Sequence, residues 1–116
     1  KDILALLDIN GTRVLRMYQV KCGDINKPIK KVALCGGSGK LLINNALKDK
    51  ADVFLTADLT YHDFFIPENK MLLADMGHFE SEQFTSDRLV SILNEKIPNF
   101  AVLKSGINTN PVNYHT

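Results

Sequence analysis

The sequence lacks the features that mark several large classes of protein. Its 116 residues include only two cysteines, Cys22 and Cys35, which form neither a metal-type pair nor a disulfide framework. The net charge is +1 and the basic residues are scattered, so no basic stripe supports nucleic-acid binding. No apolar run approaches a membrane span, and the opening residues lack a signal-peptide pattern. We therefore expect a cytoplasmic protein with no membrane or nucleic-acid partner.

The composition that is present fits a folded domain. The hydrophobic fraction is 45% and the charged fraction 23%, as in ordinary globular proteins. A chain of 116 residues can bury a modest core, and it contains no repeats, low-complexity tracts or linkers. We therefore expect residues 1–116 to form a single α/β domain. Because the chain begins with Lys1 and opens on a helical pattern, we interpret it as a portion of a longer protein.

Short apolar runs alternate with amphipathic stretches along the chain. They predict strands at about 14–20, 30–35, 52–56, 71–75 and 100–104. They also predict helices at about 2–9, 40–48 and 79–96, and a short helix at 59–65. This alternation is typical of an α/β fold with a mixed or mainly parallel sheet flanked by helices.

Polar residues follow three of these predicted strands directly. The residues in question are Gly36, Gly37, Ser38 and Gly39 after the second strand, Asp58 and His62 after the third, and His78 and Glu82 after the fourth. Ligands of open α/β sheets bind outside the carboxyl ends of the strands. If the strands are parallel, these residues should gather at one edge of the sheet.

His78 and Glu82 carry the most specific chemistry. They are four residues apart, so on a helix they share one face. An imidazole beside a carboxylate makes half of a metal site, suited to zinc, manganese, iron or cobalt better than to calcium. The alternative is a solvated carboxylate in the first helical turn and a histidine near the helix start.

The glycine-rich segment 36–39 matches no named phosphate or nucleophile motif. A P-loop needs Ser or Thr after Gly39-Lys40, where Leu41 stands, and a nucleophile elbow needs glycine in the place of Lys40. Two interpretations stay open. Its backbone N–H groups bind an anion or phosphate at a helix N-terminus, or it forms a tight turn that requires glycine.

Asp58 and His62 are also four residues apart. Asp58 is a candidate cap for the short helix that follows it. His62 is a candidate ligand, an acid or base near neutral pH, or a partner of Asp58. We interpret both residues as the edge of the site.

Four segments together resemble one known family. They are residues 31–39, 51–62, 74–82 and 108–112, and they occur in the family's order. The chain resembles the C-terminal portion of the NGG-interacting factor 3 family, also called GTP cyclohydrolase I type 2 homologues or dinuclear metal-centre proteins. Two positions depart from the family pattern: Ala57 stands where a glycine is usual, and Thr60 where a lysine often occurs.

The resemblance implies a two-domain fold with two divalent metal ions in one site. It implies that His78 and Glu82 are metal ligands, and that a histidine pair and an aspartate from the N-terminal half of the same protein complete the site. It also implies a homohexamer in the full-length protein. No adjacent histidine pair occurs in this chain, so we expect this portion to bind metal weakly and to be inactive alone.

The family name is a weak guide to the reaction. Two metal ions suit the hydrolysis of a phosphate-bearing or ring-containing substrate, so a dinuclear-metal hydrolase is one expectation. A non-enzymatic, metal-dependent binding or scaffold protein is the second. A nucleotide- or phosphate-binding module built on residues 36–39 is the third.

Overall fold

The computed structural model describes residues 16–17 and 28–113. Four strands form one sheet: β1 (Arg16–Met17), β2 (Val32–Ser38), β3 (Val53–Ala57) and β4 (Leu72–Asp75). Their order across the sheet is β1-β4-β3-β2. Strands β2, β3 and β4 are parallel, and β1 pairs antiparallel with β4. The predicted α/β fold with a mixed, mainly parallel sheet is confirmed.

The connections between the parallel strands are helical. A 3₁₀ helix, Lys40–Leu42, leads into α1 (Ile43–Lys48) between β2 and β3. A second 3₁₀ helix, Tyr61–Phe65, lies between β3 and β4. Two further helices follow β4: α2 (His78–Glu82) and α3 (Thr85–Lys96). Crossover helices of this kind are what parallel neighbours require.

The core lies on both faces of the central strand. All five residues of β3 are buried. Because side chains alternate along a strand, Phe54 packs in a cluster with Ile43 and Leu73, while Val53 and Leu55 pack in another with Ala74 and Met76. Burial on both faces explains why the third and fourth strands read as continuous apolar runs and not as alternating ones.

The chain divides into two compact units, one ending at Glu82 and the other beginning at Gln83. In the second unit, α3 is followed by residues 97–113, which form neither helix nor strand. Lys104 Nζ lies 2.6 Å from Asp87 Oδ1 within this unit.

The predicted helix at 79–96 is two helices in the structure, since residues 83 and 84 form a turn between α2 and α3.

The predicted strand at 100–104 is wrong. Phe100 and Leu103 are exposed, and the Phe100 N–H donates to the Ile97 carbonyl in a turn. An apolar run becomes a strand only where a neighbouring strand accepts its backbone hydrogen bonds, and none pairs with this segment among the described residues.

The other predicted helices and strands are shifted by a few residues or fall outside the residues that the structure describes. The second strand continues through Gly36 and Gly37 to Ser38, and the short helix at 59–65 is the 3₁₀ helix that begins at Tyr61. The predicted helix at 2–9 and most of the predicted strand at 14–20 fall outside the described residues. Within the described part of the chain, no helix has both the length and the apolar character to cross a membrane.

Candidate metal centre

His78 is placed by the turn that ends β4. Gly77 has a φ of +83°, a left-handed conformation that glycine adopts readily, and α2 begins at the next residue. One helical turn later, the Glu82 carboxylate lies beside the ring, with His78 Nε2 3.3 Å from Glu82 Oε2. The expected shared face of these two side chains is therefore present in the structure.

Asp58 reaches the other nitrogen of the same ring. It follows β3 with a φ of +59°, and its Oδ2 lies 2.6 Å from His78 Nδ1. The two residues meet because β3 and β4 are neighbouring parallel strands, whose carboxyl ends lie side by side. The His78 ring thus has a carboxylate at each nitrogen.

The two carboxylates set the charge of the ring. The hydrogen bond to Asp58 raises the pKa of His78 above its usual value, and the negative charge of Asp58 adds to this. Burial acts in the opposite direction, while the charge of Glu82 raises the pKa further. A neutral ring bonded to Asp58 through Nδ1–H would direct the lone pair of Nε2 at an anionic oxygen. The arrangement therefore favours a cation at Nε2, either a proton or a metal ion.

The three side chains are accessible. Their exposed fractions are 47% for Asp58, 52% for His78 and 50% for Glu82. A ligand arriving from solvent can reach the ring and both carboxylates without displacing the core.

Gly37 lies directly beneath this group. Its φ is +63°, and a Cβ atom at this position would lie 2.5 Å from Glu82 Oε1 and 3.2 Å from His78 Cε1. Both the backbone conformation and the available space therefore require glycine here. The side chains of Glu82 and His78 occupy the volume that the missing methyl group leaves.

The backbone of Gly37 is held on both sides. Its N–H donates to Ser81 Oγ at 2.9 Å, and its carbonyl accepts a hydrogen bond from Thr56 Oγ1 at 3.0 Å. The pairing of β2 with β3 changes register between Leu34 and Ser38. This irregularity brings the glycine segment against α2 while it still belongs to the strand.

These contacts give the glycine segment a packing role. The cation that follows it, Lys40, lies 2.9 Å from the buried carboxylate of Asp63. Gly39 is also closely packed, since a Cβ there would lie 2.2 Å from Thr56 Oγ1. The contacts support the expectation that this segment requires glycine, while anion binding at residues 36–39 stays a prediction.

His62 is not brought to the ring of His78 by any described contact. Its ring meets Tyr61 edge to face, with centroids 5.2 Å apart. Within residues 28–113, no hydrogen bond or ion pair joins it to Asp58 or His78. The N-cap of the 3₁₀ helix at Tyr61–Phe65 is Thr60 and not Asp58, and Thr60 forms a capping box with Asp63, whose Oδ2 accepts the Thr60 N–H.

Sequence reasoning did not single out Thr56, Asp75 or Ser81. Asp75 is buried, and its two oxygens accept hydrogen bonds from the Leu59 and Gly77 N–H groups. A signal for it was present, because it is the one charged residue in the apolar run Met71–Met76. No sequence pattern marks Thr56 or Ser81, since both hydrogen-bond the backbone of Gly37, which lies on the separate strand β2.

The described residues do not form a complete metal site by themselves. Across residues 16–17 and 28–113, no group of three or more His, Cys, Asp or Glu side chains is arranged to hold a metal ion. His78 and Glu82 are the two candidate ligands, with Asp58 hydrogen-bonded to the remaining ring nitrogen. This matches the common arrangement in which a carboxylate orients a metal-binding histidine.

Comparison with known protein families identifies the family of this chain. The family model described as Duf34/NIF3 (NGG1p interacting factor 3) matches residues 3–111. The chain belongs to this family. The resemblance inferred from the four sequence segments is thereby confirmed.

Curated relatives support the assignment. A protein of Streptococcus pneumoniae serotype 4 described as GTP cyclohydrolase 1 type 2 homolog is 35% identical over 105 residues, covering 86% of this chain and 39% of the relative. A Bacillus subtilis protein with the same description is 31% identical over 115 residues, covering 93% of this chain and 28% of the relative. The chain thus spans about two fifths or less of the length of these relatives.

Solved structures agree with the fold. The Staphylococcus aureus protein SA1388 is 32% identical and has a TM-score of 0.64, with 80% of this chain and 32% of that chain covered. A Bacillus cereus protein related to NIF3 is 28% identical and has a TM-score of 0.61, with 81% and 27% covered. The α/β fold of this chain therefore corresponds to part of a larger family fold.

Proposed function

We propose that this chain is the metal-binding portion of a divalent-metal-dependent hydrolase, with His78 and Glu82 as metal ligands. One observation supports this proposal above the others. The ring of His78 has carboxylates at both nitrogens, 2.6 Å away at Nδ1 and 3.3 Å away at Nε2. A cation at Nε2 relieves the repulsion that a neutral ring would experience there.

The donor atoms fit a metal ion. Ligands about 2.1 Å from a tetrahedral ion lie about 3.4 Å from one another. The separation of 3.3 Å between His78 Nε2 and Glu82 Oε2 is close to that value. It is also longer than the ~2.7–2.9 Å of a strong charge-assisted hydrogen bond. Nitrogen and carboxylate oxygen together suit zinc, manganese, iron or cobalt.

Asp58 acts on the ring and not on the metal ion in this proposal. By accepting a hydrogen bond from Nδ1, it keeps the proton on that nitrogen and leaves the lone pair of Nε2 free for coordination. It also fixes the plane of the ring, which lowers the conformational entropy lost on metal binding. Gly37 leaves the space that the Glu82 carboxylate needs.

Further ligands must come from outside this group of side chains. We propose that the N-terminal half of the same protein supplies them, so that two metal ions share one site in a homohexamer that works in the cytoplasm. The relatives are two and a half to three and a half times as long as the matched region, which leaves room for such a half. This chain alone is then expected to bind metal weakly.

The proposed reaction class is hydrolysis. When bound, a divalent cation supplies Lewis acidity and activates water for attack on a phosphate-bearing or ring-containing substrate. The residues of this chain hold and orient that cation, and their half-exposed side chains leave the site open to substrate. The description of the relatives as GTP cyclohydrolase 1 type 2 homologs makes a nucleotide the first substrate to test.

The deciding experiment measures metal content and nucleotide turnover in the full-length protein. Elemental analysis should find bound divalent metal in the wild type and much less in His78→Ala. Turnover should fall with the metal. His62→Ala is the matched control, because its described contact is with Tyr61 and not with this ring. Unchanged metal content in His78→Ala would refute the ligand assignment.

The same measurements separate the two alternatives. Metal that is lost in His78→Ala without any turnover in the wild type would favour a metal-dependent binding or scaffold protein. Phosphate or nucleotide binding that is independent of metal, and that is lost on substitution of Gly36, would favour a module built on residues 36–39.

A further inference from the structure

A single buried carboxylate joins the two loops that form the candidate metal centre. Asp75 ends β4, and only 7% of it is exposed. Its Oδ2 accepts the N–H of Leu59 at 3.0 Å, and its Oδ1 accepts the N–H of Gly77 at 2.9 Å. Leu59 directly follows Asp58 in the chain, and Gly77 directly precedes His78. Each oxygen therefore fixes the backbone next to one partner of the Asp58–His78 hydrogen bond.

The loop after β3 turns through a strained residue, while the turn after β4 passes through a glycine that adopts its conformation readily. Asp58 has a φ of +59° and Gly77 a φ of +83°, so each loop passes through a left-handed residue at the point where it turns. For a residue with a side chain, such as Asp58, that conformation persists only where the surrounding structure holds it. The N–H groups that Asp75 binds belong to Gly77 itself and to the residue after Asp58. The carboxylate is thus placed to hold both turns.

A backbone bond from the Met76 N–H to the Thr56 carbonyl also joins the ends of β3 and β4, but it reaches neither Leu59 nor Gly77. Ser81 and Thr56 fix Gly37, and Asp63 fixes the start of the 3₁₀ helix at Tyr61–Phe65. Among the described hydrogen bonds, those of Asp75 are the ones that connect the loop after β3 to the turn after β4 through one side chain. The side chains of Asp58 and His78 are about half exposed, whereas Asp75 is buried.

We propose that Asp75 is a positioning residue of the metal centre, which sets the distance between Asp58 and His78 by binding the backbone of both loops. Asp75 does not contact the metal ion in this proposal. It acts through Asp58, which orients the ring, and through Gly77, which places the ring. The inference rests on the proposed function where it concerns metal affinity, but the geometry of the Asp58–His78 pair can be tested without metal.

The test compares Asp75→Asn with Asp63→Asn in the full-length protein. An asparagine at position 75 keeps the shape but offers one acceptor oxygen, so one of the two N–H groups faces an amide N–H₂. Asp63 is a matched control, since it is also buried and also accepts a backbone N–H, but it holds no residue of the metal centre. Two quantities are measured for each variant: the affinity for Co²⁺ by calorimetry, and the ring-nitrogen chemical shifts of His78 in metal-free protein at one fixed pH.

Asp75→Asn should weaken Co²⁺ binding by about 10- to 100-fold, the range typical of residues that support metal ligands. It should also change the His78 ring-nitrogen shifts, because the hydrogen bond to Asp58 is weakened. Asp63→Asn should leave both quantities unchanged at a temperature where each variant is folded. If Asp75→Asn does not fold, Asp75→Ser is compared in its place, since a single hydroxyl oxygen reaches at most one of the two loops.

Three outcomes overturn the inference or separate it from the proposed function. Unchanged Co²⁺ affinity and unchanged His78 shifts in the position 75 variant would refute the positioning role. An equal loss of affinity in Asp63→Asn would show a general effect of destabilisation and would also refute it. If the wild type binds no Co²⁺ at all, the proposed function fails, while the metal-free shifts of His78 still decide whether Asp75 positions the ring.

Discussion

Gly37 faces the carboxylate of Glu82 so closely that a methyl group on the glycine would lie 2.5 Å from Glu82 Oε1. The neighbouring Gly36 is different, because a Cβ there would lie 3.7 Å from Glu82 Cγ, an ordinary van der Waals distance. Two adjacent glycines of one strand thus differ in what they allow. This difference provides a matched pair of variants.

Gly37→Ala should therefore disturb the proposed metal centre, and Gly36→Ala should not. At position 37 the new methyl group displaces the Glu82 carboxylate, and the left-handed backbone adds a cost of about 1 kcal/mol or more. We expect Gly37→Ala to lower both metal affinity and the free energy of unfolding, measured by calorimetry and by urea denaturation. Similar results for the two variants would contradict the steric role of Gly37.

Asp58→Asn should lower the pKa of His78 in metal-free protein. The hydrogen bond to Asp58 and the charge of Asp58 are what chiefly raise this pKa, and an asparagine removes the charge. A proton titration of His78 followed by NMR measures the effect. His62→Ala serves as the control, since His62 has no described bond to this pair. A pKa of His78 that does not respond to the substitution would show that Asp58 is not its main partner.

The sign of the accompanying stability change follows from the raised pKa. Because the folded protein binds the His78 proton more tightly than the unfolded chain, this contribution is fully present below the unfolded pKa of about 6.5. It is lost as the pH rises through the folded pKa. The wild type should therefore exceed Asp58→Asn in stability most clearly below pH ~6.5. The difference should be small, since both side chains are about half exposed.

Asp63→Asn should lower stability in a pH-dependent way with the opposite sign. Burial raises the pKa of Asp63, but the hydrogen bonds from Lys40 and Thr60 outweigh it and hold the pKa below its usual value. The contribution of Asp63 is therefore present above the unfolded pKa of about 3.9 and is lost as the pH falls through the folded pKa. Urea denaturation should show the variant less stable by roughly 1–3 kcal/mol at neutral pH.

That difference should shrink as the pH falls below about 4, since the wild-type carboxylate is then protonated. Glu68→Gln is the control, because the ion pair of Glu68 with Lys70 is exposed on both sides. An exposed pair of this kind contributes little to stability. A loss in Asp63→Asn that does not vary between pH 3 and pH 7 would contradict the ionic part of this account.

Removing the proposed ligands should affect metal binding far more than folding. His78 and Glu82 are about half exposed and lie outside both core clusters. In metal-free protein, His78→Ala and Glu82→Gln should change the free energy of unfolding by about 1 kcal/mol or less. With metal at 100 times its dissociation constant, the full-length wild type should gain about 2.7 kcal/mol, and the variants should gain much less. Equal stabilisation of wild type and variants by metal would contradict the ligand roles.

The sheet could be predicted from the sequence because burial on both faces leaves a continuous apolar signature. Residues 53–57 and 72–75 carry that signature, and their strands lie within a residue or two of the predicted bounds. Residues 100–104 carry a similar apolar run but form no strand. An apolar run indicates that a segment tends to be buried, but it does not show that the segment pairs with a strand. Whether a neighbouring backbone accepts its hydrogen bonds depends on the rest of the chain.

The sequence by itself determined the family, the alternation of strands and helices, and the pairing of His78 with Glu82. These depend on local order and spacing, since residues four apart on a helix are neighbours wherever the helix lies. Only the tertiary structure decided that Asp58 bonds His78 while His62 does not, that Gly37 makes room for Glu82, and that Asp75 ties two loops together. Apart from the bond between Asp75 and the nearby Gly77, those contacts join residues 16 to 45 positions apart. Strand order and register bring such residues together, and strand order depends on which strands pair across the whole chain.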